Sequence, residues 1–266
     1  MSPQDHVNLA IGTLASLAAL LVVPRPSQER QLRHRENHLL ATLSGETLAL
    51  LEPELKETSA PQGVVFLEPG DSIDRVYFPQ SGMISLLIVG REGEMVEVAT
   101  VGREGALGLH RGPGGRRLSL TRATVQIPGR FSTVPAQAFE RISLSNSSLQ
   151  DMITRYTGVL LAEAQQLAAC NAIHDASSRL CRWLLQCSDH VNSAQLPLTQ
   201  EFLAQMLGVR RTTVTLLAQE IQRQGAVKYS RGKMTILNRR MLEDGACECY
   251  EVMQRQRLAL SPGVNW

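Results

Sequence analysis

One stretch constrains this chain more than any other: Leu198 to Leu237, LTQEFLAQMLGVRRTTVTLLAQEIQRQGAVKYSRGKMTIL. Thr199 suits an N-cap, because its hydroxyl can accept from an unpaired N–H of a first helical turn. Behind it Phe202, Leu203, Met206 and Leu207 recur at helical spacing. Gly208 supplies a turn. A second helix follows, with Val214, Leu217, Ala218 and Ile221 on one face and Gly225 at its end. The other face carries Arg211, Thr212, Thr215, Gln219 and Arg223 and no carboxylate. Two short helices joined by a glycine turn, then a small hairpin, are the pattern of a helix-turn-helix, whose second helix can enter a DNA major groove.

Charge agrees with that reading. From Leu198 to Arg240 eight Lys/Arg residues stand against two acids, Glu201 and Glu220. The local excess of +6 sits in a chain of net +2, which leaves −4 for the remainder. A basic module on a mildly acidic body fits a phosphate-binding end attached to something else.

At 266 residues the chain has room for two domains with real cores, and its 43% hydrophobic and 20% charged content is that of a soluble globular protein. Its five cysteines (Cys170, Cys181, Cys187, Cys247, Cys249) are odd in number and absent from the first 169 residues. They do not read as a disulfide framework, so a cytoplasmic location is expected. Leu9 to Val23 is an apolar run of 15 residues that ends at Pro24-Arg25-Pro26. A membrane span needs about 20, and a signal peptide needs a basic residue ahead of the run, where none stands. We read it as an extension, with no membrane partner expected; a membrane-tethered regulator is the alternative.

Between Gly63 and Val134 the pattern is β-rich. Val64–Leu67, Arg75–Phe78, Met83–Val89, Met95–Val101 and Ala123–Ile127 are short apolar runs separated by Pro-Gly, Ser-Gly and glycine turns, as in a sandwich or barrel. Leu39, Leu40, Leu43, Leu48, Leu50 and Leu51 precede them and can cover a barrel end. No proline occurs between Pro135 and Pro197. In that gap Leu149, Ile153, Tyr156, Leu160, Leu167, Asn171 and His174 recur every three to four residues or a multiple of that, which predicts a long amphipathic helix able to form a two-helix seam. Asp175 to Ser178 punctuates it. A further helix, the helix-turn-helix, the hairpin and a last helix from about Leu242 to Leu258 complete the order.

This order and its residues resemble the Crp/Fnr family of bacterial transcription regulators. The resemblance covers Glu36 to Glu251 and is carried by Glu68-Pro69-Gly70-Asp71, by Gly102-Arg103-Glu104-Gly105 with Gly108, and by Leu198 to Leu237. It implies an α+β fold: a double-stranded β-helix (jelly-roll) sensor domain, a long dimerisation helix and a C-terminal winged helix-turn-helix. The expected divisions are 1–35 (extension and linker), 36–142 (cyclic-nucleotide-binding-like β-roll), 143–176 (dimerisation helix), 177–251 (winged helix-turn-helix) and 252–266 (tail).

The resemblance also supplies expectations for chemistry. Members that bind cyclic AMP carry a glutamate in a glycine turn and an arginine–serine pair for the cyclic phosphate. Here the turn reads Gly105-Ala106-Leu107-Gly108, and the phosphate position reads Arg116-Arg117 or Arg117-Leu118. The ribose acceptor and the serine are missing, so a barrel without cyclic AMP is expected. The iron–sulfur branch uses cysteines near its N-terminus, and the lack of cysteines there leads to an expectation of no cluster. Haem would need an axial ligand such as His110 or His174, and His174 reads as a core or interface residue. Cys181-x5-Cys187-x2-His190 lies out of helical phase for one ion, and Cys247 and Cys249, two apart on a helix, would point away from each other. No cofactor and no metal are expected. No catalytic motif occurs, and His110 is the sole barrel histidine, too few for a metal-holding enzyme barrel, so the chain reads as no enzyme.

The expected function is a homodimeric, sequence-specific DNA-binding transcription regulator with an unknown small-molecule effector, reading a near-palindromic double-stranded site, with RNA polymerase as a further partner. The DNA-facing residues expected are Thr199, Gln200, Arg210, Arg211, Thr212, Thr213, Thr215, Gln219, Tyr229, Ser230, Arg231 and Lys233. Arg211 matches the family's guanine-reading arginine. Thr212 stands where cyclic-AMP-type members have a glutamate, and Leu216 where they have another arginine. A ligand sensor acting through protein partners is the other alternative.

Overall fold

The computed structural model describes residues 32–109, 115 and 117–258. The apolar run at 9–23 lies outside them, as do His110 and Arg116. No helix among the described residues is long and apolar enough to cross a membrane.

Two short helices, α1 (His38–Ala41) and α2 (Gly45–Leu51), start behind Asn37 and Ser44, whose side chains accept from Leu40 N and Thr47 N. Leu39, Leu40, Leu43, Leu48 and Leu51 are buried with Val76, Phe78 and Val134 of the strands that follow, and so close one end of a β-roll. Leu50, expected with them, is on the outer side of α2 and 53% exposed. The roll is built from β1 (Lys56–Ala60), β2 (Val65–Leu67), β3 (Arg75–Pro79), β4 (Met83–Val89), β5 (Met95–Val101), β6 (Arg122–Ile127) and β7 (Gly129–Pro135). They form two antiparallel sheets, ordered β1-β7-β3 and β2-β6-β4-β5. Phe66 stacks on Tyr77 with centroids 4.3 Å apart and meets Phe131 edge-on at 5.3 Å. These rings sit in a core with Ile84, Val101, Leu107 and Val125.

Five strands match the apolar runs in the sequence; β1 and β7 do not. β1 is the exposed polar edge Lys-Glu-Thr-Ser-Ala, which shows no alternation to read. β7 starts at Gly129, directly after Ile127-Pro128. A Cβ there would sit 2.0 Å from the Ser81 carbonyl, so the glycine is a packing requirement of the crossing rather than a strand terminator.

After α3 (Ala136–Leu144) comes the long helix α4 (Ser147–Ile173), capped by the Asn146 side chain at Leu149 N. His174 leaves the helix in extended backbone, and Asp175 caps α5 (Ala176–Val191) through Ser177 N and Ser178 N. Next are β8 (Gln195–Leu196), α6 (Gln200–Leu207), α7 (Arg211–Arg223), β9 (Val227–Ser230) and β10 (Lys233–Ile236), with β8-β10-β9 as a small sheet. The single last helix expected from Leu242 is two, α8 (Arg239–Gly245) and α9 (Cys249–Leu258), with Cys247 in the non-helical link between them.

Helix α5 holds the two halves together. Every residue from Arg179 to Cys187 is buried, so this stretch has no solvent face. Leu180, Trp183, Leu184 and Cys187 share one apolar core with Met83, Leu87 and Ile127 of the roll and with Leu203, Val214 and Ile221 of the helix-turn-helix. Two polar contacts bind this seam. Glu97 of β5 accepts from Trp183 Nε1 at 2.7 Å and from Ser85 Oγ at 2.7 Å. His190 meets Glu104 Oε2 through Nδ1 at 2.7 Å and Thr100 Oγ1 through Nε2 at 2.9 Å.

The two carboxyls titrate in opposite directions. Burial would raise Glu104, but His190, Arg257 and the Gly102 N–H outweigh it and hold the carboxyl at about 2. Burial dominates at Glu97, against the Ser85 and Trp183 hydrogen bonds and Arg182, and pushes it up to about 7. Between about pH 4.5 and 7 the folded chain therefore keeps a proton that the unfolded chain has released. Stability falls as pH rises through that window and levels off above it. Glu97→Gln, which mimics the protonated group, is expected to be more stable than the natural chain at pH 8, by on the order of 2–3 kcal/mol. The difference should fade by about pH 5 in thermal unfolding; a gap independent of pH would contradict the assignment.

Candidate functional site

The first helix of the helix-turn-helix is capped at both ends. Thr199 Oγ1 accepts from Phe202 N at 3.3 Å and starts α6. Gly208 ends α6 in left-handed backbone (φ 63°), and Arg210 in extended backbone leads into α7. Val214, Ala218 and Ile221 are buried, and this fixes which face of α7 looks outward. Arg210, Arg211, Thr212 and Gln219 are exposed, whereas Thr213 and Thr215 are half-buried. The Thr215 hydroxyl lies within donating distance of Gln200 Oε1 (2.9 Å) and the Arg211 carbonyl (3.1 Å), so it ties the start of α6 to the middle of α7. Leu216 is 68% exposed on the same outward side. Arg223 is engaged by Glu220 at 2.7 Å.

The hairpin of β9 and β10 is a two-residue turn. Ser230 pairs with Lys233, and Arg231 (φ 49°) and Gly232 (φ 74°) form the turn between them. Positive φ at both positions is the primed turn that matches strand twist. Arginine tolerates it poorly, since only Gly, and to a lesser degree Asn or Asp, visits that region readily. Ser230, Arg231 and Lys233 are exposed, and Tyr229 is part-buried against the core with its N–H donated to Gln222 Oε1 at 2.7 Å. Gly232 lies beside Thr199, which brings the hairpin tip to the start of α6. The twelve residues expected to face DNA thus lie along α6, α7 and the hairpin.

Two other sets of expected residues are used differently. On α4, Leu149 and Tyr156 are buried against α1, α2 and the roll, with Ile153 and Leu160 packed alongside; Leu167 is buried, the Asn171 carbonyl accepts from Arg179, and His174 meets Glu248. These seven positions are therefore occupied within one chain. In the roll, Gly105 faces Tyr156 and its turn mates Ala106 and Leu107 are buried; Leu107 exchanges both backbone hydrogen bonds with Tyr77. Gly108 needs its positive φ of 90°, and Arg117 donates to Glu140 at 3.1 Å.

Known proteins share this architecture. Residues 178–244 match the family model described as a Crp-like helix-turn-helix domain. The chain is 25% identical over 193 residues to the global nitrogen regulator of Nostoc sp. PCC 7120, covering 69% of this chain and 86% of that one. It is 26% identical over 196 residues to the global nitrogen regulator of Synechocystis sp. PCC 6803, covering 71% and 87%. Residues 178–244 thus form a Crp-like helix-turn-helix domain, and the rest of the chain is similar to these regulators. Its fold is similar to that of FixK2 from Bradyrhizobium japonicum (TM-score 0.63, 16% identity, 73% of this chain and 98% of that). It is also similar to a Crp/Fnr-family transcriptional regulator from Thermus thermophilus (TM-score 0.58, 24% identity, 72% and 98%).

The chain departs from what its sequence led us to expect at one site. The expectation of no metal and no cofactor rested on the lack of early cysteines, and that reasoning fails because cysteines distant in sequence converge. The ligand atoms of Cys170, His174, Cys247 and Cys249 lie within 4.8 Å of one another. Cys170 Sγ is 3.5 Å from Cys247 Sγ, and Cys249 Sγ is 3.6 Å from His174 Nδ1. Cys247 and Cys249 reach the same point because Cys247 is outside a helix, so the argument that residues two apart diverge does not apply. The hydrogen bond from Cys247, helped by the charge of Arg182, pulls the Cys170 thiol well below its usual range, while Cys247 is pushed up. The one local signal was Cys170-x3-His174, the i, i+4 spacing of one helix face, although His174 itself lies just past the helix end. Cys181 and Cys187 are buried in α5 with thiols raised by burial, apart from this cluster.

The hairpin geometry yields a direct test. Arg231→Gly removes a side chain from left-handed backbone and is expected to raise stability by about 1 kcal/mol. If the tip meets DNA phosphates, the same change should weaken binding to all duplex sequences alike. Thermal unfolding and a titration with labelled duplex read the two effects separately.

Proposed function

We propose that this chain is a homodimeric, sequence-specific transcription regulator in which α7 reads base edges and the hairpin and the start of α6 hold phosphates. The observation that carries the reading is the outward face of α7. There Arg210, Arg211, Thr212 and Gln219 are exposed with no carboxylate among them, and Arg231 and Lys233 extend the same basic surface. An exposed guanidinium at Arg211 suits the bidentate geometry of guanine O6 and N7, worth about 1–3 kcal/mol of discrimination. Thr213 and Thr215 suit phosphate or thymine-methyl contact, and Thr199 and Gln200 sit at a helix N-terminus, which favours phosphate. Thr212 and Leu216 in place of charged residues support an operator unlike that of cyclic-AMP-type members.

A dimer is supported by the other side of α4. Thr154, Thr157, Leu161, Gln165, Ala168 and Ala172 are exposed and recur every three or four residues, about 110° around the helix from the occupied stripe. The Thr154 and Thr157 hydroxyls already donate to Gln150 and Ile153 carbonyls, so their methyl groups are free to pack. Leu161, 59% exposed, is the centre of this stripe. Two copies joined there would present two α7 helices about 34 Å apart to a near-palindromic site. The β-roll is the input side, with a small-molecule effector as its partner, and RNA polymerase is the partner of the output. The free state of all five thiols suits a reducing cytoplasm.

Two measurements test the reading. Arg211→Ala is expected to relax base preference at one position of each half-site, while Lys233→Ala weakens all sequences alike and lowers the salt slope by about 1. Identical behaviour of the two variants, or binding that does not change with salt, would sink the assignment. Leu161→Glu is expected to turn a dimer into a monomer by sedimentation velocity with little loss of thermal stability. A chain that sediments identically with and without the change places the seam elsewhere.

A further inference from the structure

We propose that Cys170, His174, Cys247 and Cys249 bind one zinc ion in a closed tetrahedral site that clasps the two ends of the winged-helix module. The four ligands come from the end of α4 (Cys170, His174) and from the α8–α9 link and first turn of α9 (Cys247, Cys249), so they bracket the residues 178–244 that match the Crp-like helix-turn-helix. None lies inside that match. The ion would join chain segments on either side of the module that are more than 70 residues apart in sequence.

Geometry carries the choice of ion. At a Zn–S distance of about 2.3 Å and a Zn–N distance of about 2.0–2.1 Å, tetrahedral angles put two sulfurs about 3.8 Å apart and a sulfur and nitrogen about 3.5 Å apart. The observed 3.5 Å (Cys170 to Cys247) and 3.6 Å (Cys249 to His174 Nδ1) are edges of such a tetrahedron before an ion is added. Four ligand atoms within 4.8 Å surround a single ion; a cluster of several irons needs its thiolates further apart. Thiolate and imidazole together select zinc among ordinary divalent ions, and four protein ligands leave no open position, which marks a structural site rather than a catalytic one.

The surroundings are those of a metal histidine. His174 turns Nδ1 toward Cys249 and holds Nε2 3.2 Å from Glu248 Oε1, the carboxylate-to-imidazole contact that orients a ligating ring. Gln166 Nε2 donates to Cys249 Sγ at 3.0 Å, a hydrogen bond suited to a coordinated thiolate. The three cysteines are buried while the ring edge of His174 is near solvent, which leaves an entry path. A simple Cys170–Cys247 disulfide would account for one pair and leave the convergence of Cys249, His174, Gln166 and Glu248 without a reason.

The full chain, purified untagged under reducing conditions and analysed by plasma mass spectrometry, is expected to carry about one zinc per chain, released by a mercurial thiol reagent. Replacement with cobalt should give the strong visible bands of a tetrahedral ion with thiolate charge transfer. Cys249→Ser and His174→Ala should lose the ion, whereas Cys181→Ser, outside the cluster, should keep it. Zinc at background in a chain whose five thiols all titrate freely would overturn the proposal. So would a Cys170–Cys247 disulfide in freshly purified protein, or pale octahedral cobalt spectra. The cobalt spectrum of the unsubstituted chain decides the matter even if a variant does not fold, and none of these readouts depends on DNA binding.

Discussion

Two carboxyl groups of the β-roll, Glu97 and Glu104, reach across to a helix whose central stretch has no exposed side, and the arrangement of both halves depends on that reach. Glu97 takes the indole hydrogen bond of Trp183, and Glu104 takes the His190 ring. A buried charge or polar group is costly unless its partners are in place, and removal of one partner from a buried pair costs about 3–5 kcal/mol. The apolar core around Trp183 and Leu184 would tolerate many small slides of α5. The two polar contacts tolerate few, because each needs donor and acceptor within hydrogen-bond distance. The core thus supplies most of the attraction and the carboxyls supply the register.

The Gly102-Arg103-Glu104-Gly105 motif finds its reason in the same place. A Cβ at Gly102 would fall 2.5 Å from His190 Nδ1, and one at Gly105 would fall 2.6 Å from the Tyr156 hydroxyl. The glycines permit a turn of the roll to be pressed against α5 and α4 at once. Glu104 between them is bonded by the Gly102 N–H at 2.9 Å, and the backbone around it serves α1: His38 N donates to the Arg103 carbonyl and Asn37 Nδ2 to the Gly105 carbonyl. Four residues therefore join the first helix, the roll, the long helix and α5. In a cleft of about 840 Å³ beside this junction, Arg239 is matched by Asp189, and Arg257 by Glu163 of α4. Charge there is largely balanced within the chain.

The sequence was most readable where one physical rule acted alone. Thr199, Gly208 and Gly225 announce helix ends because capping and positive φ depend on local backbone, and β2 to β6 follow short apolar runs between turns. It was least readable where periodicity admits two answers. Leu149, Tyr156 and Leu167 mark an apolar stripe, but a stripe facing the chain's own core and one facing a second copy have the same spacing. The cores of α1, α2 and the roll take Leu149 and Tyr156 here. The exposed stripe through Leu161 is built of Thr, Gln and Ala and gives a weak hydrophobic signal. β1 was hidden by its polarity. The cysteine cluster was hidden because only the tertiary fold brings Cys170 beside Cys247, and because the α8–α9 break at Cys247 overrides helical geometry.

That break and the one at His174 are the module's two attachments, and they differ in stiffness. On the first side, α4 gives way to α5 across His174 and Asp175, both in extended backbone, a link short enough to turn as a hinge. On the second, α9 lies along α4 and is anchored by the buried Arg257–Glu163 pair. A module free to swing at the hinge while pinned through α9 must either strain the α8–α9 link or move as a unit with both ends held together. Placing a clasp at the convergence of the two ends favours the second motion, because it turns two attachments into one pivot. The contacts that such a swing must break are then those of Glu97 and Glu104 with α5, which lie in the β-roll. Loss of hydrogen bonds at that seam, rather than rearrangement inside the helix-turn-helix, is the step through which the roll would govern the position of α7.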